Sequence, residues 1–402
     1  NKVLNVPHLR FPEFSGEWEE HTLSEYLEFK NGLNPDAKRI GSGLPFISVM
    51  DILSEGVINY DNIRGKVNAT EKEIECFGVK DGDLLFQRSS ETLEDVGRAN
   101  VYMDNRTAIY GGFVIRGRKI GNYDPLFFKY LLATPLARKR TCRMGAGAQH
   151  FNIGQEGLSK ISLYFPSIEE QRKIAEFLSL IDERIATQNK IIEDLKKLKS
   201  AISKYLFARK DLLETTICLS NIATLKNGYA FQSSKYNALG KWKILTITNV
   251  SGERYINDED CNCIINLPND IQDHQVLKEG DILISLTGNV GRVSLCKNGN
   301  YLLNQRVGLL QLAKNVNQEF LYQILSSQRF ENSMIACGQG AAQMNIGKGD
   351  VENYVLPYSS NGNNILWVAK ILHSYDECII NEMRRLTLLT MQKQYLLTQM
   401  FI

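Results

Sequence analysis

Short polar side chains stand between closely spaced glycines in two similar stretches of the chain. The first is "GAGAQHFNIG", residues 145–154, and the second is "GQGAAQMNIG", residues 338–347. Glycine lets a backbone approach a ligand closely and adopt positive φ, and side-chain amides and imidazoles form hydrogen bonds with base edges or phosphate oxygens. The candidates for such contacts are Gln149, His150, Asn152, Gln343 and Asn345.

The glycine-rich stretches belong to a repeat that covers nearly the whole chain. The phrase "LSEYLEFKNG" from Leu23 has its counterpart in "LSNIATLKNG" from Leu219, and "IAEFLSLIDE" from Ile174 has its counterpart in "VAKILHSYDE" from Val368. The order of the phrases is kept and their separation hardly changes, which indicates one duplication rather than a solenoid of short repeats. The two copies therefore share a frame, while the residues between the matching phrases differ.

A second group of candidates follows the phrase KxGD in each copy, at residues 80–83 and 278–281. We expect a turn there, with Asp83 and Asp281 in structural roles, then a short strand and a polar loop, "QRSSETLEDVGR" or "SLTGNVGR". Side chains of these types contact base edges and phosphates in proteins that bind DNA, which would make Arg88 the candidate for guanine; a solvated hairpin is the alternative. The loop candidates are Gln87, Arg88, Ser89, Arg98, Thr287, Asn289 and Arg292.

Further polar candidates lie in the shared phrase KNG and in "NQRVG", residues 304–308. Copy two has this polar and basic segment where copy one has "YGGFV", so any readout by it is specific to the copy. Because KNG and the glycine-rich stretch occur in both copies, they favour a frame or phosphate role over base readout, and a purely structural turn is the alternative. These candidates are Lys30, Asn31, Lys226, Asn227, Gln305 and Arg306.

Each copy begins with a mixed globule that must position these loops. The apolar runs at residues 44–50 and 243–250 predict strands. Residues 124–140 and 317–336 each predict an amphipathic helix, capped by Asp124 and Asn317. The predicted boundaries are 1–165 and 211–360 for the two globules, and 166–210 and 361–402 for the long helices that follow them.

Apolar residues recur alternately every four and three positions along both long helices, interrupted at Gln188 and Lys199 and at Glu382 and Lys393. This heptad spacing predicts antiparallel pairing of the two helices, with packing of each helix on its own globule as the alternative. The fold class that follows is α+β, a tandem pseudo-two-fold duplication in which one chain imitates a dimer. The predicted pairing residues are Ile174, Leu178, Ile181, Ile185, Ile192, Leu195, Val368, Leu372, Tyr375, Ile379, Leu386 and Leu389.

Composition narrows the class of protein. A hydrophobic content of 43% and a charged content of 23% are typical of a soluble globular protein, and no apolar run reaches the length of a membrane span. The eight cysteines include one close pair, Cys261 and Cys263, and no zinc-type cluster, so no metal site is expected. The net charge of +2 is small for a protein that grips DNA alone, so any basic surface must be local or a partner must supply the rest.

The order globule, helix, globule, helix resembles the specificity subunits of type I restriction–modification enzymes. So do "LRFPEFSGEWEEHTLSEYLEFKNG", the KxGD turns, the phrase NIGxxxL, "FPSIEEQRKIAEFLSLIDERI" and its echo "VLPYSSNGNNILWVAKILHSYDECI". The similarity covers essentially the whole chain, and residues 166–182 carry its most specific motif. Copy two departs from this motif, since Asn363 and Asn364 replace the expected Glu170 and Gln171. This departure predicts a weaker start of the second helix.

The resemblance implies a non-catalytic subunit whose two target recognition domains each read half of a bipartite, asymmetric site on double-stranded DNA. It also implies assembly with two methyltransferase subunits and with restriction subunits, in the cytoplasm of a bacterium or archaeon. S-adenosylmethionine and ATP are expected on those partners, and no cofactor on this chain. The sequence lacks an Asn-Pro-Pro-Tyr/Phe methylation motif. The alternatives are an enzyme with an unfamiliar site and a two-headed adaptor that binds proteins without DNA.

Overall fold

The computed structural model describes residues 5–147, 149–338 and 344–402. These residues form two compact units. Unit 1 consists of the described residues up to Asn189 together with Arg385–Ile402, and unit 2 of those in Lys190–Arg384. The candidate Gln343 lies outside the described residues. None of the helices in these ranges combines the length and apolar character that crossing a membrane requires.

Unit 1 alternates short strands with helices. Its strands are β1 (Glu19–Thr22), β2 (Leu27–Asn31), β3 (Ile40–Ile47), β4 (Gly65–Val67), β5 (Gly78–Val79), β6 (Leu84–Gln87), β7 (Ser89–Ser90), β8 (Ala99–Val101), β9 (Ala108–Tyr110), β10 (Val114–Lys119), β11 (Phe151–Asn152) and β12 (Ser162–Phe165). Its helices are α1 (Val49–Ile52), α2 (Glu71–Phe77), α3 (Pro125–Ala133), α4 (Pro135–Arg143), α5 (Gln155–Ser159) and the first part of α6 (Ile168–Ala208).

Unit 2 contains the remaining elements. Its strands are β13 (Thr215–Cys218), β14 (Ala223–Asn227), β15 (Trp242–Leu245), β16 (Asn262–Ile264), β17 (Val276–Leu277), β18 (Ile282–Ser285), β19 (Val293–Leu295), β20 (Tyr301–Leu303), β21 (Val307–Leu312) and β22 (Val355–Tyr358). Its helices are α7 (Gln318–Leu325), α8 (Gln328–Cys337), α9 (Lys348–Glu352) and most of α10 (Gly362–Gln399), together with the last part of α6.

The two units have the same sheet topology. Unit 1 has an antiparallel sheet in the order β2-β10-β6-β8, and unit 2 has its counterpart in the order β14-β21-β18-β19. A second sheet, β4-β3-β9-β5 or β16-β15-β20-β17, contains one parallel pair, β3 with β9 or β15 with β20. A two-stranded ribbon, β1 with β12 or β13 with β22, completes the correspondence. The repeat read from the sequence is therefore a repeat of the fold.

The strand after KxGD separates two hydrophobic clusters because neighbouring side chains on a strand point to opposite faces. In β6, Leu84 and Phe86 belong to the main core of unit 1, whereas Leu85 belongs to a second cluster with Ile47 and Tyr110. In unit 2 the same alternation places the first and third residues of β18 in the main core and the second in the other cluster. Both faces of this central strand are thus covered.

Both predicted amphipathic helices are wrong as single helices, although their caps are confirmed. The Asp124 side chain accepts a hydrogen bond from Phe127 N, at the start of α3. Thr134 then breaks the segment, because a residue before proline is pushed out of the helical region, and its ψ is 154°. In unit 2, Asn317 caps α7 and Ser327 caps α8 in the same way. Each segment is therefore a pair of short helices.

The predicted strands at 44–50 and 243–250 end earlier than expected, at Ile47 and Leu245, for a related reason. Ser48 ends β3, since its backbone N–H donates to Asp51 Oδ2 at 2.7 Å in a capping box that starts α1. In unit 2 the backbone N–H of Thr246 donates to Asn249 Oδ1 at 2.7 Å. In both strands, a nearby side-chain oxygen accepts the backbone N–H that would otherwise continue the hydrogen bonds of the strand.

The long helices start differently in the two copies. At the start of α6 the Arg10 guanidinium donates to both carboxylate oxygens of Glu170, at 2.8 and 2.7 Å, and Gln171 Oε1 accepts from Asp124 N at 3.1 Å. At the start of α10 the Asn364 side-chain amide donates to Leu212 O at 3.1 Å. Copy two therefore has an amide hydrogen bond where copy one has a part-buried ion pair.

Within unit 1, the end of α10 completes the main core. Leu396 and Met400 pack there with Ile174 and Leu178 of α6, all of them 5% exposed or less. Since residues late in α10 meet residues early in α6, the two segments run antiparallel. The core of unit 1 thus depends on a segment from the far end of the chain.

Within unit 2, the end of α6 plays the corresponding part. Leu206 is 3% exposed and belongs to the core cluster that contains Val368 and Leu372 of α10. The segments are again antiparallel, since a late residue of one helix meets early residues of the other. Each helix stripe consequently packs both on a globule and on the other helix.

Candidate nucleic-acid interface

The KxGD aspartates build the turn that starts the central strand. Asp83 is buried, and its two carboxylate oxygens accept from Lys80 N at 2.9 Å and from Lys119 N at 3.2 Å. In unit 2, Asp281 accepts from Lys278 N at 2.8 Å. Burial raises the pKa of Asp83 and of Asp281. These carboxylates hold the backbone of the turn.

Hydrogen bonds between residues of the loop itself fix the loop after the central strand. The buried Gln87 amide donates to Ser89 O at 2.9 Å, and Gly97 N donates to Gln87 O at 2.9 Å. In unit 2, Ser285 does the same, since its hydroxyl donates to Thr287 O at 3.2 Å. The loop is therefore a fixed structure in both units, and Gln87 supports it from within.

The glycine-rich stretch pairs with this loop, so two groups of candidates meet. β11 pairs antiparallel with β7, with Asn152 opposite Ser89, and the Ser89 hydroxyl donates to Asn152 Oδ1. In unit 2 an antiparallel bridge joins Thr287 to Asn345, and Gly288 N donates to Met344 O at 3.0 Å. The spacing of residues in the sequence did not predict that the glycine-rich stretch pairs with this loop.

A third segment, the turn between β9 and β10, lies on the other side of the loop. Arg88 N donates to Phe113 O at 2.9 Å, and Arg88 Nη1 donates to Gly112 O at 3.3 Å. In unit 2, Leu286 N donates to Arg306 O at 3.0 Å. Each unit therefore has a three-segment site, formed by the glycine-rich stretch, the loop after the central strand, and this turn.

The repeated KNG phrase supports the turn by close backbone approach. A side chain at Gly32 would overlap the carbonyl oxygen of Gly111, and one at Gly228 would overlap that of Asn304. Lys30 does not lie free in solution, because its Nζ donates to Cys76 Sγ at 2.9 Å. The glycine of KNG thus has a structural reason in both copies.

Comparison with known proteins decides the family. The type I restriction modification DNA specificity domain matches this chain twice, over residues 15–197 and 214–391. The chain belongs to this family. The two matches follow the two copies of the repeat, so each copy is one specificity domain.

Individual members of the type I specificity family resemble the chain along most of its length. A putative MjaX specificity subunit from Methanocaldococcus jannaschii is 24% identical over 379 residues, 89% of this chain and 86% of that protein. The MjaVIII specificity subunit of the same organism is 25% identical over 354 residues, 81% of this chain and 78% of that protein. The S subunit of M. genitalium has a similar fold, with a TM-score of 0.58, 17% identity and 99% coverage of both chains.

In a member of the type I specificity family, the candidates for contacts with DNA are the polar residues that solvent can reach. Unit 1 brings Arg88, Ser89 and Asn152 together, and unit 2 brings Thr287, Arg306 and Asn345 together. The exposed candidates are Asn31, Arg98, Gln149, His150, Asn152, Asn227, Asn289, Gln305, Arg306 and Asn345. The half-buried candidates are Lys30, Arg88, Ser89, Lys226, Thr287 and Arg292.

The two arginines that end the loops are engaged with carboxylates. Arg98 Nη2 lies 2.7 Å from Asp95 Oδ1, and Arg292 Nε lies 3.6 Å from Glu331 Oε1. Both ion pairs are partly exposed, so they are weak and compete poorly with a phosphate. These arginines are the last residues of the loops, and neither takes part in the pairing of the loop with the glycine-rich stretch or with the turn.

Phe113 is the residue of the site that the sequence reasoning missed. It is 68% exposed and occupies the position of Arg306 in the turn of the other unit. The available signal was the alignment of "GGFVI", residues 111–115, with "NQRVG", which puts an aromatic residue opposite an arginine. Phe113 was missed because only polar and charged side chains were considered as candidates for contacts with DNA.

The predicted helix residues all lie in the interior or at its edge. Those that are buried are Ile174, Leu178, Ile181, Ile192, Val368, Leu372 and Ile379. Those that are half-buried are Ile185, Leu195, Tyr375, Leu386 and Leu389. Among the described residues, no group of histidines, cysteines and carboxylates could hold a metal ion.

Proposed function

We propose that this chain is the DNA-specificity subunit of a type I restriction–modification complex. Each unit reads one half of a bipartite, asymmetric site on double-stranded DNA, and the chain itself carries no catalytic group. The observation that carries this proposal is the three-segment site, which has the same backbone in both units and different side chains at equivalent exposed positions. A shared frame with different side chains is what two unlike half-sites require.

The division of labour within the site follows from what the copies share. Asn152 and Asn345 are equivalent and exposed, so they suit phosphate or sugar contacts that are common to both half-sites. Arg88 has no polar counterpart, since Leu286 replaces it in unit 2. Arginine in bidentate contact with guanine is the commonest specific base contact, which makes Arg88 a reader of unit 1 alone.

The long helices set the distance between half-sites and dock the partner subunits. Exposed apolar side chains on both helices support this role in docking partners. They are Leu180, Leu198 and Tyr205 on α6 and Leu388, Met391 and Tyr395 on α10. Apolar side chains in rows on a helix mark protein contacts. The target recognition domains would be residues 1–165 and 211–360, with the spacer helices at 166–210 and 361–402.

The partners follow from the same proposal. Two methyltransferase subunits and restriction subunits would assemble on the helices in the cytoplasm, and would hold S-adenosylmethionine and ATP. A net charge of +2 agrees with a chain that grips DNA together with its partners.

The decisive experiment is to express the chain with the methyltransferase subunit encoded beside it, in cells that lack DNA methylation, and to sequence the modified bases. We expect one motif with two different half-sites and a fixed gap, and no such motif from the methyltransferase subunit alone. A soluble, associated complex that leaves DNA unmodified and unbound would instead support the protein adaptor. Methylation or cleavage of DNA by this chain alone would support the enzyme.

A further inference from the structure

Phe113 is a large apolar side chain at the tip of a turn, and it is 68% exposed. Single exposed apolar residues are common on protein surfaces, so exposure by itself assigns no role. Two further observations set this residue apart. Its backbone is held rigidly from several sides, and its counterpart in the other unit is an exposed arginine.

The turn that presents Phe113 has little freedom to move. Val114 N donates to Gly111 O at 2.9 Å within the turn, and Arg88 N donates to Phe113 O at 2.9 Å from the neighbouring loop. A side chain at Gly112 would overlap the Asn34 side chain, so the turn also packs against the segment after KNG. A ring on a fixed backbone, with few rotatable bonds of its own, loses little entropy when it binds a ligand.

The counterpart in unit 2 is built in the same way and carries the opposite chemistry. Val307 N donates to Asn304 O at 2.9 Å within the turn, and Leu286 N donates to Arg306 O at 3.0 Å from the loop. Among the described residues, the guanidinium of Arg306 has no ion-pair partner. The fold therefore offers a bare aromatic ring in one unit and an unpaired guanidinium at the same point in the other.

Chemistry limits what each side chain contacts on DNA. A phenylalanine ring has no hydrogen-bond donor, so it gains nothing from a phosphate. In the major groove the apolar feature is the C5-methyl group of thymine, which phenylalanine contacts, whereas arginine matches the O6 and N7 acceptors of guanine. A ring and a guanidinium at equivalent points would thus select different bases at equivalent positions of two half-sites.

We propose that Phe113 is a specificity-determining residue of unit 1 that contacts a thymine methyl group, and that Arg306 reads guanine at the equivalent position for unit 2. This inference rests on the proposed function and adds to it one base for each half-site. It predicts that the half-site of unit 1 contains a thymine where the half-site of unit 2 contains a guanine.

The test uses the complex of the full chain with its methyltransferase subunits and duplexes of the motif obtained by sequencing modified bases. Each thymine of the unit 1 half-site is replaced in turn by deoxyuridine, which removes only the methyl group. For the wild-type complex we expect one replacement to weaken binding about fourfold, the effect of one buried methyl-sized group. For Phe113→Ala we expect weaker binding to the intact site, about tenfold, and no further loss from that replacement.

Two more variants separate readout from folding. Ile120→Ala is the matched control, because Ile120 is also apolar and 60% exposed in unit 1 but lies at the far end of β10 from the turn. It should leave both binding and the deoxyuridine effect unchanged. Phe113→Arg should shift the preferred base at the same position from thymine to guanine, and Arg306→Ala should relax one position of the other half-site only.

The outcomes distinguish this inference from the function on which it rests. A bipartite motif whose unit 1 half-site lacks thymine, or a deoxyuridine effect of the same size in Phe113→Ala and the wild type, overturns the role of Phe113 and leaves the proposed function standing. A complex that produces no bipartite motif overturns both.

Discussion

Lys393 of α10 places its ammonium nitrogen 2.6 Å from Asp182 Oδ1 of α6, within unit 1. Within unit 2, Lys199 of α6 forms the same pair with Asp376 of α10, with Nζ and Oδ1 2.5 Å apart. Both lysines are among the polar interruptions of the heptad stripes, and both aspartates are the next-to-last residue of the repeated phrase at residues 174–183 or 368–377. A polar residue inside an apolar stripe specifies the register of paired helices. The lysine interruption of each stripe is therefore matched to an aspartate partner on the other helix.

The two aspartates differ in the other side chains that donate hydrogen bonds to them. Asp182 accepts a hydrogen bond from the Tyr130 hydroxyl at 2.9 Å. Asp376 accepts from Gln323 Nε2 at 2.6 Å and from Arg254 Nη1 at 2.9 Å, and its side chain is less exposed, 8% against 22% for Asp182. Both carboxylates join the helix pair to the globule of their own unit, but unit 2 does so with a buried network of charges.

Replacing Asp376 by alanine should destabilise the chain more than replacing Asp182. Asp376→Ala leaves the Arg254 guanidinium buried with one carboxylate fewer, and we expect a loss of about 3 kcal/mol in the free energy of unfolding. Asp182→Ala removes a pair that is about a quarter exposed, and we expect about 1 kcal/mol. Urea unfolding measures both, with Asp194→Ala on the exposed face of α6 as the control. Equal losses at the two aspartates would show that the network adds nothing to the simple pair.

Lys129 gives unit 1 a stability that depends on pH. Its ammonium group donates to Gly56 O at 2.5 Å, and burial lowers the pKa of Lys129 to about 8 from 10.5. The folded chain therefore bears a penalty for the charged lysine, which is full below pH 8 and disappears as the pH rises towards 10.5. We expect the stability advantage of Lys129→Met over wild type to be larger at pH 7 than at pH 9.5, by about 1–2 kcal/mol.

Urea unfolding of both proteins at the two pH values checks this expectation, because effects of pH on the rest of the chain cancel in the difference. The exposed residue Lys139, substituted by methionine, serves as the control and should give the same difference at both pH values. A difference for Lys129→Met that does not change with pH, or that grows, would mean that burial does not disfavour the charged lysine.

The sequence predicted what depends on local spacing. The heptad stripes, the caps Asp124 and Asn317, and the turn at KxGD all rest on residues a few positions apart, whose geometry the backbone fixes. It could not predict the three-segment site, since Arg88, Phe113 and Asn152 meet only through the order of strands in a sheet. Sheet order depends on contacts across the whole unit, and one sequence does not reveal them.

The local predictions that failed did so where two local signals competed. Apolar periodicity runs through Thr134, yet proline at 135 and the threonine hydroxyl both favour ending one helix and starting the next. In the same way, Ser48 stands inside an apolar run and still ends β3. A capping side chain outweighs periodicity over one turn, because it satisfies backbone groups that the longer element would leave to other partners.

Arg88 should determine base choice in one half-site. One of its guanidinium nitrogens donates to Gly112 O, and arginine has further donors for a guanine edge. We expect Arg88→Ala to weaken binding to one half-site tenfold to a hundredfold, about 1–3 kcal/mol, and to leave the base preference of the other intact. Arg88→Lys keeps the charge and loses the planar fork, so it should not restore the preference.

Binding of the complex to duplexes with single substitutions in either half-site measures the effect. Arg98→Ala is the matched control, because this arginine is the last residue of the same loop and is paired with Asp95. It should weaken binding by a similar small factor for every sequence. Relaxation of both half-sites in Arg88→Ala would contradict the assignment of one reader to each unit.

A charged residue in the apolar stripe along which α6 and α10 pack should change the gap between the half-sites. It should leave the choice of bases in each half-site unchanged. Ile181 is 5% exposed in unit 1 and Ile379 is 7% exposed in unit 2. Aspartate at either position buries a carboxylate without a designed partner, which costs about 3 kcal/mol or more and forces the paired segments apart. We expect Ile181→Asp and Ile379→Asp to lower the melting temperature and to abolish a unique spacing in the methylated motif. The half-sites that remain modified should keep their bases, since neither isoleucine belongs to a three-segment site.

Ala186→Asp and Cys378→Asp place the same charge on exposed positions of the same helices and should leave the spacing unchanged. Normal assembly with an unchanged gap in both isoleucine variants would mean that the helix pairs do not set the distance between half-sites.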